Sequence, residues 1–368
     1  MIDVLNKVTR RHFLGASTVT AAGLGIGLGG CASNSSLRGY AGTGGKTQKI
    51  SGESTVQLVK NKDRRQAVYD SLKPMQSEVK RDIGTKQVII KVNAGFPSEN
   101  HRIHSTYPEQ IQGILDFLAE FHEGEVLISE GVGSSKSNNI FDGFTLFGYD
   151  PVVAEFKNAK LVDANATPVE TKWIRQAKQH PTSIDIIKMY FDPNNYIISA
   201  AMLKTHNAVV GTYSLKNIVM GSPIGNTMNG GRSQKGRMHG GRGAMGGREL
   251  SYNIFTLALA GVYPDLAVVD GTAGIEGDGP WDGTSVDHQI VVASTDFVAC
   301  DRICTEIAGF DPFYMKYLEW CGDAGLGNWD MENIRVAGAD LKANTVQYEM
   351  HPRIEGQVAW IHENFERE

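Results

Sequence analysis

Cysteine is scarce: four residues, at 31, 300, 304 and 321 of 368, are too few and too unevenly spaced for a disulfide scaffold. Neither charge sign dominates. Thirty-six lysines and arginines face 41 aspartates and glutamates, and a net charge of −5 gives no reason to expect nucleic acid as a partner. No C-x-x-C-x-x-C run is present, and the three cysteines beyond residue 31 lack cluster spacing, so no intrinsic iron–sulfur cluster is expected. The apolar segment 21–30 is Gly-rich, too short and too weakly apolar for a stable membrane span. No internal repeat is present, and the G-x-G pieces do not match the nucleotide-binding fingerprints in their required context.

What remains is the composition of a soluble globular protein, 41% hydrophobic and 21% charged, long enough for one large core or two modest ones. The N-terminus stands apart. T-R-R-H-F-L-G at 9–15 pairs two arginines with an apolar follow-on, as twin-arginine export signals do, and L-G-G-C at 28–31 is similar to a lipoprotein cleavage box. These features predict a signal peptide over 1–31 and export through the twin-arginine machinery to the periplasm or cell envelope. A lipid on Cys31 would be the only membrane attachment; an ordinary cleavage site nearby would instead leave Cys31 in a discarded peptide. That route carries proteins already folded in the cytoplasm, often with a cofactor loaded. Residues 32–60 read as a flexible tether rich in Ser, Gly and Thr, 61–350 as a single domain, and 351–368 as a C-terminal extension.

Within the domain, strands alternate with helices. Q-V-I-I-K-V at 87–92, 125–129, 196–202, 266–269 and 289–293 read as strands, with weaker candidates at 161–163, 184–188 and 334–336. Helices are expected over 107–121, 249–260, 296–308 and 313–320, with a charged, helical lead-in over 63–81. The pattern predicts an α/β fold, a mainly parallel or mixed sheet with helices on both faces. Several strands end in glycine plus polar residues: Asn93 and Gly95, Glu130 and Gly131, 204–207, Asp270 and Gly271. Parallel strands present their C-terminal ends at one edge, so these tips are expected to form one crevice.

The order of pieces I-I-K-V-N (89–93), L-K-T-H (203–206), L-K-N-I-V-M-G (215–221), His239, D-L-A-V-V-D-G-T-A-G-I-E-G-D-G-P (265–280), S-T-D-F-V-A-C-D (294–301) and G-L-G (325–327) resembles the family called domain of unknown function 362. The resemblance spans roughly residues 85–340. It implies no particular reaction. Some members carry ferredoxin-like cluster modules, which implies a link with redox metabolism and a redox partner protein; this chain lacks those modules.

His206 follows a buried strand and His239 sits in a Gly/Arg-rich loop, 221–248; both are candidate metal ligands or acid–base groups, against the plainer reading of structural histidines. Asp270, Glu276 and Asp278 follow a strand in what reads as a flexible segment. Such carboxylates bind a divalent cation or act as a base, and equally Asp beside Gly is turn chemistry. Lys91, Lys204 and Lys216 suit a carboxylate or phosphate, with Asn93 and Asn217 orienting it. Lys91, inside an apolar strand, needs a buried partner, for which Glu130 is placed. Arg232, Lys235, Arg237, Arg242 and Arg248 make the loop basic, either a closing lid or a surface insertion. Cys300 and Cys304 share an apolar helical face and read as core.

Two functions follow. One is an exported enzyme or cofactor protein binding a small anionic ligand: His206, His239, Lys204 and Asp270 would be catalytic, with Lys91, Asn93, Glu130, Lys216 and Asn217 around the ligand. No residue pattern specifies a cofactor; a divalent metal on His206, His239, Asp270 and Asp278 is the one this set suggests. The other is an envelope lipoprotein that captures a ligand or docks a redox partner without catalysis.

Overall fold

A computed structural model describes residues 46, 50, 52–133, 139–177, 180–225, 233–240 and 246–366. The export signal, Cys31, Arg232 and Arg242 lie outside the described residues, as does most of 32–51.

The Val- and Ile-rich segments are buried on both faces, as strands in the middle of a covered sheet must be. In β2 (Gln87–Lys91), Ile89 belongs to one hydrophobic core, while Val88 and Ile90 belong to a second on the other side. The same alternation runs through β7 (Asn195–His206), where Ile197 and Ala201 face the first core and Ile198 and Ala200 the second. The first core is closed by helices Ser214–Gly221, Gly247–Leu259, Phe297–Ile307, Lys316–Asp323 and Ile354–Asn364. The second is closed by Arg64–Leu72, Gln76–Ile83, Pro108–Ala119 and Ile140–Phe147. The result is a three-layer α/β/α fold.

The sheet has ten strands. Its main path runs β12 (Ile334–Gly338), β1 (Ser54–Lys60), β11 (Ile290–Ser294), β9 (Leu266–Glu276), β7, β2, β3 (Val126–Glu130), β4 (Ala159–Asp163), with β8 (Val210–Thr212) on β7 and β10 (Thr284–Val286) on β9. From β9 to β4 every neighbouring pair is parallel; β11 runs antiparallel to both β9 and β1. A separate hairpin joins β5 (Val169–Arg175) to β6 (Pro181–Ile187). Local chemistry sets the helix starts: the Asp296 carboxylate accepts from the Val298 and Ala299 amides, and Pro108 opens its helix with Glu109 beside it.

Four boundaries differ from the sequence reading. Residues 54–60 are no tether but β1, paired with β11 and β12; Val56 and Leu58 alternate into the core inside an otherwise polar composition. The strand expected at 196–202 continues through Lys204 to His206, because β8 folds back to satisfy its extra backbone groups. Asp270–Glu276 is not a flexible tip but the second half of β9, held by β7, β10 and β11. Its glycines reflect crowding rather than mobility: a Cβ on Gly274 would lie 1.9 Å from the Tyr348 hydroxyl. The C-terminal segment also packs home, with Ile354, Val358 and Ile361 in the first core.

At the N-terminal edge of the parallel strands, Asp265 closes the sheet. Its carboxylate accepts from the Ile197 amide and pairs with Lys46, whose side chain is 7% exposed.

Candidate functional site

The C-terminal tips of β2, β3 and β7 converge with the start of helix Ser214–Gly221 around a cavity of about 280 Å³. Lys91, Asn93, Glu130, Lys204, His206, Lys216, Asn217 and His239 all line it. Each expected ligand-binding residue is therefore in one crevice, together with Lys235 from the 233–240 segment.

The four lysines are placed differently. Lys91 donates to Glu130 at 2.8 Å and to the Val92 carbonyl, and the pair is almost wholly buried. Burial pushes the Glu130 carboxyl up, but the cations of Lys91 and Lys235 and the Ala94 amide outweigh it, so it stays below the usual carboxylate range. Lys204 donates to the His104 carbonyl at 2.7 Å and the Asn93 amide oxygen at 3.2 Å, with Trp281 5.1 Å away. Lys235 reaches the Gly131 carbonyl at 3.5 Å. Lys216 is 5% exposed and has no hydrogen-bond or ion-pair partner among the described residues. Burial holds Lys204 and Lys216 down to about 7 and Lys235 to about 8. Glu130, already paired, is the one carboxylate among the described lining residues.

The two histidines stack, their ring centroids 6.4 Å apart and their planes 12° from parallel. His206 Nδ1 accepts from the Ala208 amide at 3.0 Å, so the neutral ring carries its proton on Nε2. His239 Nδ1 is buried with no partner among the described residues. Burial, then the nearby Lys216 cation, pulls His239 down to about 4; burial and the same lysine drive His206 well below its ordinary value. Both rings are neutral at pH 7.

Asp270 and Asp278 do not join them. Asp270 is fully buried, held by the Arg64 guanidinium at 2.6 Å and the Thr272 amide, against Tyr107 on which Arg64 lies. Asp278 is 63% exposed and pairs with His351 at 2.7 Å. The metal set His206, His239, Asp270 and Asp278 is thus not assembled: Asp270 neutralises an arginine, Asp278 faces solvent, and the cavity beside the histidines is lined by lysines instead. Such surroundings favour an anion over a divalent cation. Of the basic loop residues described, Arg237 donates to the Ser183 carbonyl and Arg248 pairs with Glu249, so neither lines the cavity.

Among the described residues, three metal-capable side chains approach within 4.8 Å only at Cys300, Asp301 and Cys304, a group that could hold a metal ion. There Asp301 accepts from the Ser214 amide and hydroxyl and the Leu215 amide, capping the helix that carries Lys216 and Asn217. Burial pushes both thiols up, and they sit in the core as their helical spacing indicated.

Sequence reasoning missed Trp281, Phe96, Thr212 and Met220, which also line the cavity. Trp281 packs on Phe96 at 4.2 Å and on His101 at 5.1 Å. Its position directly after D-G-P was the available signal, but pattern alone does not reveal that it folds over Lys204.

A family model described as Domain of unknown function (DUF362) matches residues 88–306, which run from β2 through helix Phe297–Ile307. No curated protein and no solved structure matches the chain. The match covers more than half of the chain, which therefore belongs to this family.

Proposed function

We propose that this family member is an enzyme that binds a small anionic substrate in the crevice and transfers protons within it. One observation carries the reading. Lys216, buried and unpartnered among the described residues, opens beside Lys204 and Lys235 onto a cavity whose described carboxylate is already neutralised. Buried cationic groups without counter-ions are costly, and an anionic ligand supplies what they lack. The same site holds the Thr212 hydroxyl and His239 Nδ1, both buried without partners among the described residues. A hydroxyl, an imidazole and desolvated amines lining one cavity are groups that can exchange protons with a bound ligand, which favours catalysis over simple capture.

Titration calorimetry with malonate, succinate and inorganic phosphate tests the binding step. At least one should bind, and Lys216→Met should weaken it roughly tenfold or more, as for a charged hydrogen bond. Binding left unchanged by Lys216→Met would sink the reading.

In the same reading the protein is exported by the twin-arginine route and lipidated at Cys31. The support is the Arg10-Arg11 signal and the Gly29-Gly30-Cys31 box; no helix of the described residues is long and apolar enough to cross a membrane. Labelling with a radioactive fatty acid in cells checks this, with Cys31→Ala expected to remove the label and Arg10→Lys, Arg11→Lys to block export.

A further inference from the structure

The lysines of the crevice divide into two kinds, and the division points to a chemistry. Lys91 is locked to Glu130 and serves the floor of the crevice. Lys204 is fixed by the His104 carbonyl and Asn93, which take two of its three N–H donors and leave one for a carboxylate. Lys216 differs. Its stem leaves the first turn of helix Ser214–Gly221 and its amine meets the cavity with no acceptor among the described residues. A second cation stands near it at Lys204, and His206 and His239 stand near as neutral rings. An amine desolvated and set beside another cation is the arrangement that frees a lysine lone pair for attack on a carbonyl.

We propose that Lys216 is a nucleophile that forms an imine with a 2-oxo acid, whose carboxylate is held by Lys204 and Lys235. This rests on the anionic-substrate reading above and names its substrate class. The Lys216 Nζ lone pair attacks the carbonyl carbon, a C–N bond forms, and the carbonyl π pair moves to oxygen, which accepts a hydrogen bond from His206 Nε2–H. The nitrogen, now positively charged, gives one proton to the neutral His239 ring, which passes it to the oxygen and makes the hydroxyl. The second N–H proton follows the same route, and the hydroxyl leaves as water while the nitrogen pair closes the C=N bond, with both rings back in their starting state. Amine plus ketone gives imine plus water, with no oxidant or reductant consumed. The amine must be unprotonated to react, and burial leaves a substantial share of Lys216 in that form near neutral pH.

The full-length protein is incubated with pyruvate, 2-oxobutyrate or 2-oxoglutarate in the presence of sodium borohydride, which reduces an imine to a stable amine. Intact mass spectrometry and peptide mapping follow, with malonate, succinate and inorganic phosphate binding measured in parallel. The expected result is one reduced adduct, on Lys216, lost in Lys216→Arg, while the parent protein binds malonate or succinate at the same crevice. Circular dichroism of Lys216→Arg confirms that it is folded; a second variant, Lys235→Met, should keep the adduct site but need more oxo acid for the same yield. An adduct on Lys91, Lys204 or Lys235 instead of Lys216 overturns the assignment. No adduct with any oxo acid, while a dicarboxylate or phosphate binds, overturns the imine chemistry and leaves the anion site standing. Failure of oxo acids, dicarboxylates and inorganic phosphate alike to bind removes the anion reading itself.

Discussion

Lys91 Nζ lies 2.8 Å from the Glu130 carboxylate, on the tips of two adjacent parallel strands, with 1% and 4% of the two side chains exposed. The carboxylate also receives the Ala94 and Gly131 amides, and the ammonium also binds the Val92 carbonyl and Asn217. The pair fixes the floor of the crevice, and its removal should be felt as stability before it is felt as chemistry.

Glu130→Gln leaves Lys91 buried without a counter-ion. The expected cost is about 3–5 kcal/mol, as for breaking one side of a buried ion pair. Urea denaturation measures it, and a loss under 1 kcal/mol would mean that water reaches the amine.

Asp270 serves the fold rather than the ligand. Asp270→Asn should lower stability by about 2–4 kcal/mol, because Arg64 is left partly buried against an amide. Malonate affinity of the folded variant, measured by calorimetry, should stay within about twofold of the parent; a large drop would return Asp270 to the site.

Anion binding should take up protons. Lys204 and Lys216 sit near 7 in the empty crevice, and an anion favours their charged forms. Calorimetry at pH 8 in buffers of different ionisation enthalpy should therefore show net uptake, and affinity should fall as pH rises above about 7. The same lowered values act on folding. From about pH 7 up to the ordinary lysine value the unfolded chain binds more protons than the folded one, so stability without ligand should rise with pH across that window.

Gly221 ends the helix that carries Lys216, and a Cβ there would lie 2.2 Å from Lys91 Cε and 2.7 Å from its Nζ. Gly221→Ala should push Lys91 off Glu130, destabilise the protein by about 1–3 kcal/mol and weaken anion binding. A crystal structure of the variant with the 2.8 Å contact intact would contradict this.

Much of this site was legible in the residues. Lys91 inside an apolar strand demanded a buried acid, and Glu130 on the next strand supplied it. Polar tips on parallel strands had to share an edge, so Asn93, Glu130, Lys204 and His206 meet. Pattern failed where tertiary pairing overrode composition. Asp270-Gly271-Thr272 looks like a turn, yet pairing with β11 extends it, and Arg64, some 200 positions away, turns the aspartate from the site. Nor does spacing show that Asp278 faces His351, or that Trp281 lies over Lys204. Those contacts depend on how distant segments cross, which no local period encodes.

The ion pair of Lys46 with Asp265 belongs at the other end of the same strands. Asp265 also binds the Ile197 amide, and from Ile197 to His206 β7 extends roughly 30 Å at about 3.3 Å per residue. Lys46 therefore meets the fold at the end of the strands opposite the mouth. Neither Lys46 nor Asp265 lines the crevice, so this end of the strands can vary in sequence without altering the surface that a small molecule meets at the other.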